Sequence, residues 1–304
     1  MNSLNKIGMG LGIFILLILV WGLVEPYFID VEKEEAVINQ LPEEWEGKQI
    51  AVLGDYQVGM WMDNTATVKK TSKRIAEMNP VAVFILGDFV YHAAKSSKEE
   101  MDHVKELLRP LTEKEIPIFA VLGNHDYAMK LRTDEPNRKS AGNVASELND
   151  MGIEVLHNES IALELTEDGV EPGNATENSL YLAGIGAAWP DEAQPDKALE
   201  AIPETAARMV MMHNPDTFAK LEAGSAPFAV AGHTHGGQVR IPFTPQSTWM
   251  TYAKKENVHA DGWIEDYGAA GNKLYVNRGI GFSDIPIRIN CPPEVTLFTL
   301  KTAS

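Results

Sequence analysis

Residues 81–88 read VAVFILGD, an unbroken apolar run that ends in glycine and aspartate. The same pattern occurs on both sides of it, at 50–55 (IAVLGD) and at 118–126 (IFAVLGNHD). Helical patterns at 65–78 and 98–115 lie between these runs. Strands that are apolar at every position are covered on both faces of a sheet. The alternation of such strands with helices therefore predicts an α/β fold whose strands end in polar turns.

The second half of the chain repeats this pattern with less helix. Apolar runs at 208–212 and 228–231 end in His213 and in the sequence Gly232-His233-Thr234-His235. Two sheets packed face to face with helices outside, a four-layer α-β-β-α sandwich, would account for the arrangement. Further strands are predicted at 153–157, 161–165, 180–184, 238–241, 274–277, 287–290 and 295–300.

The N-terminus carries a long apolar segment. Residues 7–24 read IGMGLGIFILLILVWGLV and contain no charge; as a helix they span about 27 Å, close to the hydrocarbon thickness of a bilayer. A signal peptide is the alternative, but the run ends at Trp21 and its neighbours rather than at a small-residue cleavage site. We predict an uncleaved transmembrane anchor within residues 1–24, a linker at 25–47 and a catalytic domain at 48–304.

Charge limits both the partners and the placement of the chain. The formal net charge is -17, which argues against a nucleic-acid polymer as partner. Lys6 precedes the apolar segment, whereas Glu25 and Asp30 follow it. The positive-inside rule therefore predicts a single-pass protein of the cytoplasmic membrane with an extracytoplasmic catalytic domain. Cys291 is the sole cysteine, so an internal disulfide is excluded.

Side chains that can bind metal follow five of the predicted strands. In open α/β sheets, ligands bind beyond the carboxyl ends of strands. One such residue is usually a turn or cap residue, but five strand ends of this kind predict a metal centre. Carboxylates can bridge two cations, imidazoles bind borderline metals, and amide oxygens suit harder ones such as Mn and Mg. The residues are Asp55 with Gln57, Asp88, Asn124 with His125, His213, and His233 with His235.

These motifs resemble those of the calcineurin-like metallophosphoesterases, whose pattern is D-x-H, G-D, G-N-H-D, a lone H and G-H-x-H. The segments 232–242 and 275–300 also look like the YkuE/YaeI branch of membrane-associated bacterial phosphodiesterases. The similarity covers nearly everything after Lys48. In this chain the motifs read Asp55-Tyr56-Gln57, Gly87-Asp88, Gly123-Asn124-His125-Asp126, His213 and Gly232-His233-Thr234-His235.

The resemblance implies two divalent metal ions, with Mn preferred and Mg, Fe or Zn as alternatives. A metal-bridging hydroxide would attack the phosphate directly. His125 would stabilise the transition state or protonate the leaving oxygen, and Asp126 would orient His125 unless it only caps a turn. One ion would be held by Asp55, Gln57, Asp88 and His235, and the other by Asp88, Asn124, His213 and His233.

Gln57 departs from the family pattern, because the second residue after the aspartate is usually histidine. A glutamine oxygen is a weaker and harder ligand than imidazole, which favours Mn or Mg over Zn or Fe at that position. His92 and Arg278 are candidate substrate contacts. A simple loop position is the alternative for His92, and a structural salt bridge is the alternative for Arg278.

The sequence therefore predicts a hydrolase of phosphoric esters, either a phosphodiesterase or a pyrophosphatase, bound to the membrane by its N-terminal helix. A lipid-linked or envelope phosphoester, for example a glycolipid, follows as substrate from family analogy alone. Two alternatives stay open. One is a catalytically weak, metal-binding membrane module, in which Gln57 marks decay; the intact His125 argues against it. The other is a nucleotide phosphodiesterase.

Overall fold

Two mixed β-sheets lie at the centre of the protein. The computed structural model describes residues 3–303 except 63, 92, 167–168, 177–178, 242–258 and 265, and it describes the side chains of neither residue 3 nor residues 93–97. The first sheet contains β1 (Asp30–Ile38), β2 (Gln49–Leu53), β3 (Ala82–Ile85), β4 (Ile118–Ala120), β5 (Ile153–Val155) and β13 (Glu294–Thr302), in the order β1-β13-β2-β3-β4-β5. The second contains β6 (Glu159–Leu165), β7 (Val170–Pro172), β8 (Leu180–Ile185), β9 (Arg208–Met212), β10 (Ala229–Ala231), β11 (Gly262–Ile264) and β12 (Leu274–Val276), in the order β11-β12-β10-β9-β8-β6-β7.

The two sheets place their parallel strands differently. In the first sheet β2 to β5 run parallel to one another up to the β5 edge, β1 and β13 are parallel at the other edge, and the antiparallel pair between β13 and β2 joins the two sets. In the second sheet β8, β9, β10 and β12 are parallel in the middle, and the antiparallel pairs lie towards the edges, between β11 and β12, β6 and β8, and β6 and β7. The helices are α1 (Ser3–Val24), α2 (Thr65–Met78), α3 (Ala93–Thr112), α4 (Arg138–Asn149) and α5 (Pro195–Leu199), with short 3-10 helices at Glu25–Tyr27, Glu43–Trp45, Pro215–Lys220 and His235–Gly237.

Alternation along the strands divides the core into layers. In β2, Ile50 and Val52 face the second sheet, whereas Ala51 and Leu53 face α2, α3 and α4. This is the two-residue period of a strand that is buried on both faces. The outer face of the second sheet packs against α5 and the 3-10 helix Pro215–Lys220. The predicted four-layer α-β-β-α sandwich is therefore confirmed.

The N-terminal helix stands largely apart from these layers. Residues Leu4–Tyr27 are long and apolar enough to cross a membrane, and 6% of that stretch is buried. Among the described residues, its C-terminal end is bonded to the domain: the Gly22 carbonyl accepts a hydrogen bond from Arg288 N at 3.0 Å. The carboxylate of Glu25, which is 3% exposed, accepts from Asn290 N at 3.0 Å.

The predicted linker at 25–47 contains a strand and was wrong in that respect. Strand β1 pairs in parallel with β13 over its whole length, from Asp30 opposite Glu294 to Ile38 opposite Thr302. Ala36 and Ile38 are fully buried. The acidic residues at its start suggested a solvated connector, but the buried residues of β1 lie at its other end, and pairing with β13 holds the whole strand.

Three smaller predictions also differ from the structure. The segments 238–241 and 287–290 form a single bridge, Val239 with Ile289, instead of two strands. Helix α3 begins at Ala93 instead of residue 98. Helix α4 was not predicted, because its sequence RKSAGNVASELN carries a glycine and two asparagines that are weak helix formers.

Candidate metal centre

The seven predicted ligands come together where the strands of both sheets end. Asp55 and Gln57 follow β2, Asp88 follows β3 and Asn124 follows β4 in the first sheet. His213 follows β9 in the second sheet, and His233 with His235 follow β10. Two groups among them offer atoms that all lie within 4.8 Å of one another: Asp88 with His213 and His233, and Asp55 with Asp88 and His235.

In the first group, one atom each of Asn124, His233 and Asp88 lies close to the Nε2 atom of His213. Its Nδ1 lies 2.7 Å from the Leu86 carbonyl oxygen, which can only accept, so Nδ1 carries the proton. The other ring nitrogen, Nε2, then faces Asn124 Oδ1 at 3.0 Å, His233 Nδ1 at 3.1 Å and Asp88 Oδ2 at 3.4 Å. The Asn124 amide is oriented by donation from Nδ2 to the Met129 carbonyl at 2.8 Å. Such a cluster of acceptors, fixed from behind, fits a cation.

In the second group, two buried atoms lack partners. Gln57 Oε1 and His235 Nδ1 have no hydrogen-bond partner among the described residues. Gln57 Nε2 donates to Asp88 Oδ2 at 2.8 Å and lies 3.4 Å from His235 Nε2. A half-turn of the amide would present Oε1 to the same place and would break the contacts of Nε2 with Asp88 and His235. Gln57 can therefore offer an oxygen to a cation between Asp88 and His235.

Asp88 joins the two groups. Its Oδ2 atom contacts both Gln57 Nε2 and His213 Nε2, while its Oδ1 accepts from His125 N at 2.9 Å. The side chain is 1% exposed, so its position is fixed by these contacts. A carboxylate with one ligand group on each side is the arrangement that a shared ligand of two cations requires.

Burial and charge shift the pKa values of these groups strongly. Burial, together with the neighbouring Asp88, raises the pKa of Asp55 to about 7. Burial works against the charged form of His213, yet Asp88 raises its pKa to about 9. The pKa of His233 lies well below its usual value and that of His235 falls to about 3, in both cases mainly through burial. These two imidazoles are thus neutral at pH 7, the form that binds a cation.

The backbone at the site is strained. Five of the seven residues have left-handed φ angles: 54° at Asp55, 53° at Gln57, 55° at Asp88, 72° at His233 and 50° at His235. For residues other than glycine this conformation costs about 1–3 kcal/mol each, and it concentrates at functional sites. The concentration of strain here indicates that side-chain placement, rather than stability, determines these turns.

Two glycines allow the close approach of the chain. A Cβ atom on Gly123 would meet Asp88 Oδ1 and would come within 2.6 Å of His213 Cε1. A Cβ on Gly279, whose φ is 65°, would come within 2.6 Å of Asp55 Cβ. Both positions therefore require glycine for steric reasons. In the motif G-N-H-D, the glycine is needed because Gly123 packs directly against Asp88.

The predicted catalytic pair His125 and Asp126 is arranged differently from expectation. The His125 ring stacks on Tyr91 at 4.9 Å, and its Nδ1 lies 3.1 Å from the Tyr91 carbonyl oxygen. Asp126 instead accepts backbone N–H groups, with Oδ2 2.8 Å from Gly123 N and 3.0 Å from Asp88 N. The prediction that Asp126 orients His125 is therefore wrong. Asp126 caps the two ligand-bearing turns, and Tyr91 holds His125.

Of the two predicted substrate contacts, the structure describes only Arg278. His92 lies outside the described residues. The Arg278 guanidinium is nearly buried and forms ion pairs at 3.0–3.3 Å with four carboxylates. The salt-bridge alternative therefore describes Arg278 better than a phosphate contact, and these pairs bind β1 to the loop after β12. The four acids are Asp30, Glu32, Asp261 and Glu294.

One buried arginine that sequence reasoning missed supports the site from behind. Arg288 is fully buried. Its guanidinium donates to the carbonyl oxygens of Gly281 at 2.9 Å, Arg278 at 2.8 Å, Gly279 at 3.1 Å and Cys291 at 3.1 Å. It thereby holds the 278–281 loop, which packs on Asp55. A charged residue at this position of the predicted strand 287–290 gave no signal of burial.

The chain matches the family model of the calcineurin-like phosphoesterases over residues 48–237. It is 25% identical over 285 residues to the uncharacterized metallophosphoesterase YkuE of Bacillus subtilis, covering 92% of this chain and 88% of the relative. It is 29% identical over 225 residues to phosphodiesterase YaeI of Escherichia coli, covering 74% and 72%. It is 26% identical over 273 residues to the UDP-2,3-diacylglucosamine pyrophosphatase LpxG of Chlamydia trachomatis, covering 76% and 77%.

The family match covers well over half of the chain and contains every predicted ligand. The resemblance to the YkuE/YaeI branch is confirmed by the two relatives of those names. The family match, the fold and the cluster of candidate ligands around Asp88 all indicate the same family. The chain thus belongs to the calcineurin-like phosphoesterase family and is a hydrolase of phosphoric esters.

Proposed function

We propose that this protein is a phosphodiesterase or pyrophosphatase that binds two divalent cations around Asp88. The observation that carries the proposal is the position of Asp88 between two groups of candidate ligands, one with His213 and His233 and one with Asp55 and His235. When bound, two such cations supply a hydroxide at neutral pH and offset the charge of a phosphate. Asn124 would join the His213 group, and Asp55 the His235 group.

His125 is the residue that would act on the substrate itself. The carbonyl of Tyr91 fixes a proton on Nδ1, which directs Nε2 away from that carbonyl. When this ring carries a second proton on Nε2, that N–H can donate a hydrogen bond to a phosphate oxygen or pass the proton to the leaving oxygen. No covalent enzyme intermediate is needed in this scheme, because the attacking group comes from water.

The donor set favours a hard metal at the Gln57 position. Two carboxylates and an amide oxygen accompany one imidazole there, whereas Asn124 is joined by two imidazoles on the other side. Oxygen ligands select Mn or Mg over softer metals. We propose Mn for the pair, with Mg, Fe or Zn as alternatives.

We also propose that α1 anchors the protein in a membrane and that its substrate is a lipid-linked or envelope phosphoester. Gly22 and Glu25 form hydrogen bonds to the catalytic domain, which supports an uncleaved helix. The acidic residues after the span favour an extracytoplasmic domain of a single-pass cytoplasmic-membrane protein. The name of LpxG, a pyrophosphatase of a diacylated sugar nucleotide, supports a glycolipid substrate by analogy.

The test is metal removal and reconstitution of the full chain in detergent. Chelation should abolish hydrolysis of bis-p-nitrophenyl phosphate, and Mn should restore it as two ions per chain bind, measured by mass spectrometry. His125→Ala should keep both ions and lose about 10²–10⁴-fold in turnover, the usual contribution of a general acid or base. Two bound ions without turnover in the parent protein would overturn the proposal and favour a metal-binding module.

Replacing Gln57 with histidine should change metal preference. The substitution exchanges an amide oxygen for an imidazole nitrogen, so the ratio of Zn to Mn bound in a competition experiment should rise by about tenfold or more. Gln49→His is the matched control, because the Gln49 side chain is exposed and bonds only to Thr299. Equal metal ratios in the two variants would show that Gln57 is not a ligand.

A further inference from the structure

An apolar groove separates α1 from the catalytic domain. Its volume is about 1100 Å³. Phe14, Leu17 and Trp21 line one wall, and Val239 and Ile289 line the other. The helix residues are spaced by three and four positions, so they lie on one face of α1. Both walls are thus apolar, although one belongs to the predicted membrane span and the other to the catalytic domain.

The surroundings of the groove are hydrocarbon wherever α1 crosses a bilayer. Phe14 and Leu17 are 59% and 61% exposed, and they lie in the middle of the apolar helix. If the wall that belongs to the catalytic domain lay in water, its apolar side chains would be exposed to solvent. Ile241, which also lines the groove, is 43% exposed. The groove is therefore continuous with the lipid phase, and lipid chains are the molecules that would reach it.

One wall of the groove is joined to the segment that carries His235. Val239 follows His235 by four residues, so their Cα atoms are at most about 13 Å apart. Gln238 N donates to the His235 carbonyl oxygen at 3.0 Å, and the Cys291 thiol lies 3.4 Å from the same oxygen. An acyl chain spans roughly half of the ~30 Å hydrocarbon core, about 15 Å. A lipid in the groove can therefore extend its head group towards the cations.

We propose that this groove binds an acyl chain of a lipid whose phosphate group lies at the metal centre. The inference rests on the proposed function and specifies its substrate class as an acylated phosphoester that enters sideways from the bilayer. The groove also has polar lining residues, Glu25, Arg240 and Asn290, and Asn290 N donates to the Glu25 carboxylate at 3.0 Å. Head group and chain thus meet different surfaces of one continuous site.

Photolabelling of the full chain in phosphatidylcholine nanodiscs with Mn tests this proposal. The probe is phosphatidic acid with a diazirine in its acyl chain. Adducts should form in the peptides that contain residues 239–241 and 289–292. Chelation or Asp88→Asn should reduce these adducts by about fivefold, corresponding to about 1 kcal/mol of binding. A diacylglycerol probe, which carries the same acyl chains without a phosphate, should label equally in both conditions.

A matched pair of helix variants locates the site. Leu17→Trp narrows the groove and should reduce phosphatidic acid adducts by about fivefold. Leu16→Trp changes an equally exposed residue (59% against 61%) on another face and should change neither the adducts nor hydrolysis of bis-p-nitrophenyl phosphate. Unchanged melting temperatures would show that both variants fold.

Three outcomes would contradict the proposal that the groove binds an acyl chain of the substrate. Adducts that are absent from these peptides would exclude an acyl chain there. Adducts insensitive to chelation and to Leu17→Trp would identify ordinary surrounding lipid. A disulfide-linked dimer of a Leu17→Cys variant, formed with an added oxidant, would assign the groove to a second copy of the chain. If the protein does not hydrolyse bis-p-nitrophenyl phosphate but labelling still depends on metal, the proposed catalysis is contradicted, whereas the proposal that the groove binds lipid is not.

Discussion

Replacing Asp88 with asparagine should lower turnover by about a thousandfold or more and should release metal from both halves of the site. Asparagine has nearly the same shape and can still accept from His125 N, a bond of 2.9 Å in the parent protein. It removes the negative charge that both cation positions would share. A thousandfold loss corresponds to about 4 kcal/mol of transition-state stabilisation, the scale expected for the loss of metal assistance.

The measurement combines turnover of bis-p-nitrophenyl phosphate with metal content. Asp102→Asn on the exposed face of α3 is the control, because it makes the same chemical change far from the strand ends and should match the parent. Loss of metal together with activity separates a ligand role from a purely structural one, provided that the variant melts like the parent. Retention of two cations and more than a tenth of the activity would contradict a shared role for Asp88.

Replacing Arg288 with methionine should destabilise the protein by about 3 kcal/mol or more. The guanidinium is fully buried and donates to the carbonyl oxygens of Arg278 and Gly281. Each buried carbonyl that loses its donor costs about 1–3 kcal/mol, and methionine fills the space without replacing any bond. For a domain of about 250 residues this lowers the melting temperature by roughly 6–12 °C. Lysine should not rescue it, because one ammonium cannot reach carbonyls on several sides.

Thermal unfolding of the detergent-solubilised chain checks this expectation. Arg109→Met is the control: its side chain is 62% exposed and pairs only with Glu113 at 3.6 Å, so the melting temperature should stay within about 2 °C. Cation affinity should also fall in the Arg288 variant, since the 278–281 loop packs on Asp55. A melting temperature equal to that of the control would show that Arg288 does not stabilise these loops.

The strand ends were predictable because each carries a local signal. An apolar run followed by glycine and a polar residue marks both the strand and the turn, as at Gly87-Asp88 and Gly123-Asn124, and parallel strands bring such turns to one edge. The grouping of Asp88 with His213 depends on contact between two sheets. Only the family resemblance suggested it, since no local pattern links residues so far apart.

The features that were missed depend on long-range contacts. Strand β1 is acidic and resembles a connector, but Glu294 to Thr302 pair with it from the other end of the chain, and Arg278 neutralises two of its acids. Arginine is rarely fully buried, so the burial of Arg288 could not be read from its neighbours. Asp126 suits both a catalytic and a capping role by residue type, and only its four backbone donors decided between them.

The short connection between α1 and β1 has a consequence for how the enzyme searches for substrate. The 3-10 helix Glu25–Tyr27 and two further residues are all that separate the helix from the first sheet. Once α1 lies in a bilayer, the catalytic domain cannot swing away from it and diffuses only in two dimensions. Its encounter rate then follows the surface density of substrate in that leaflet rather than bulk concentration. Phosphoesters in a neighbouring vesicle would stay out of reach, however abundant they are.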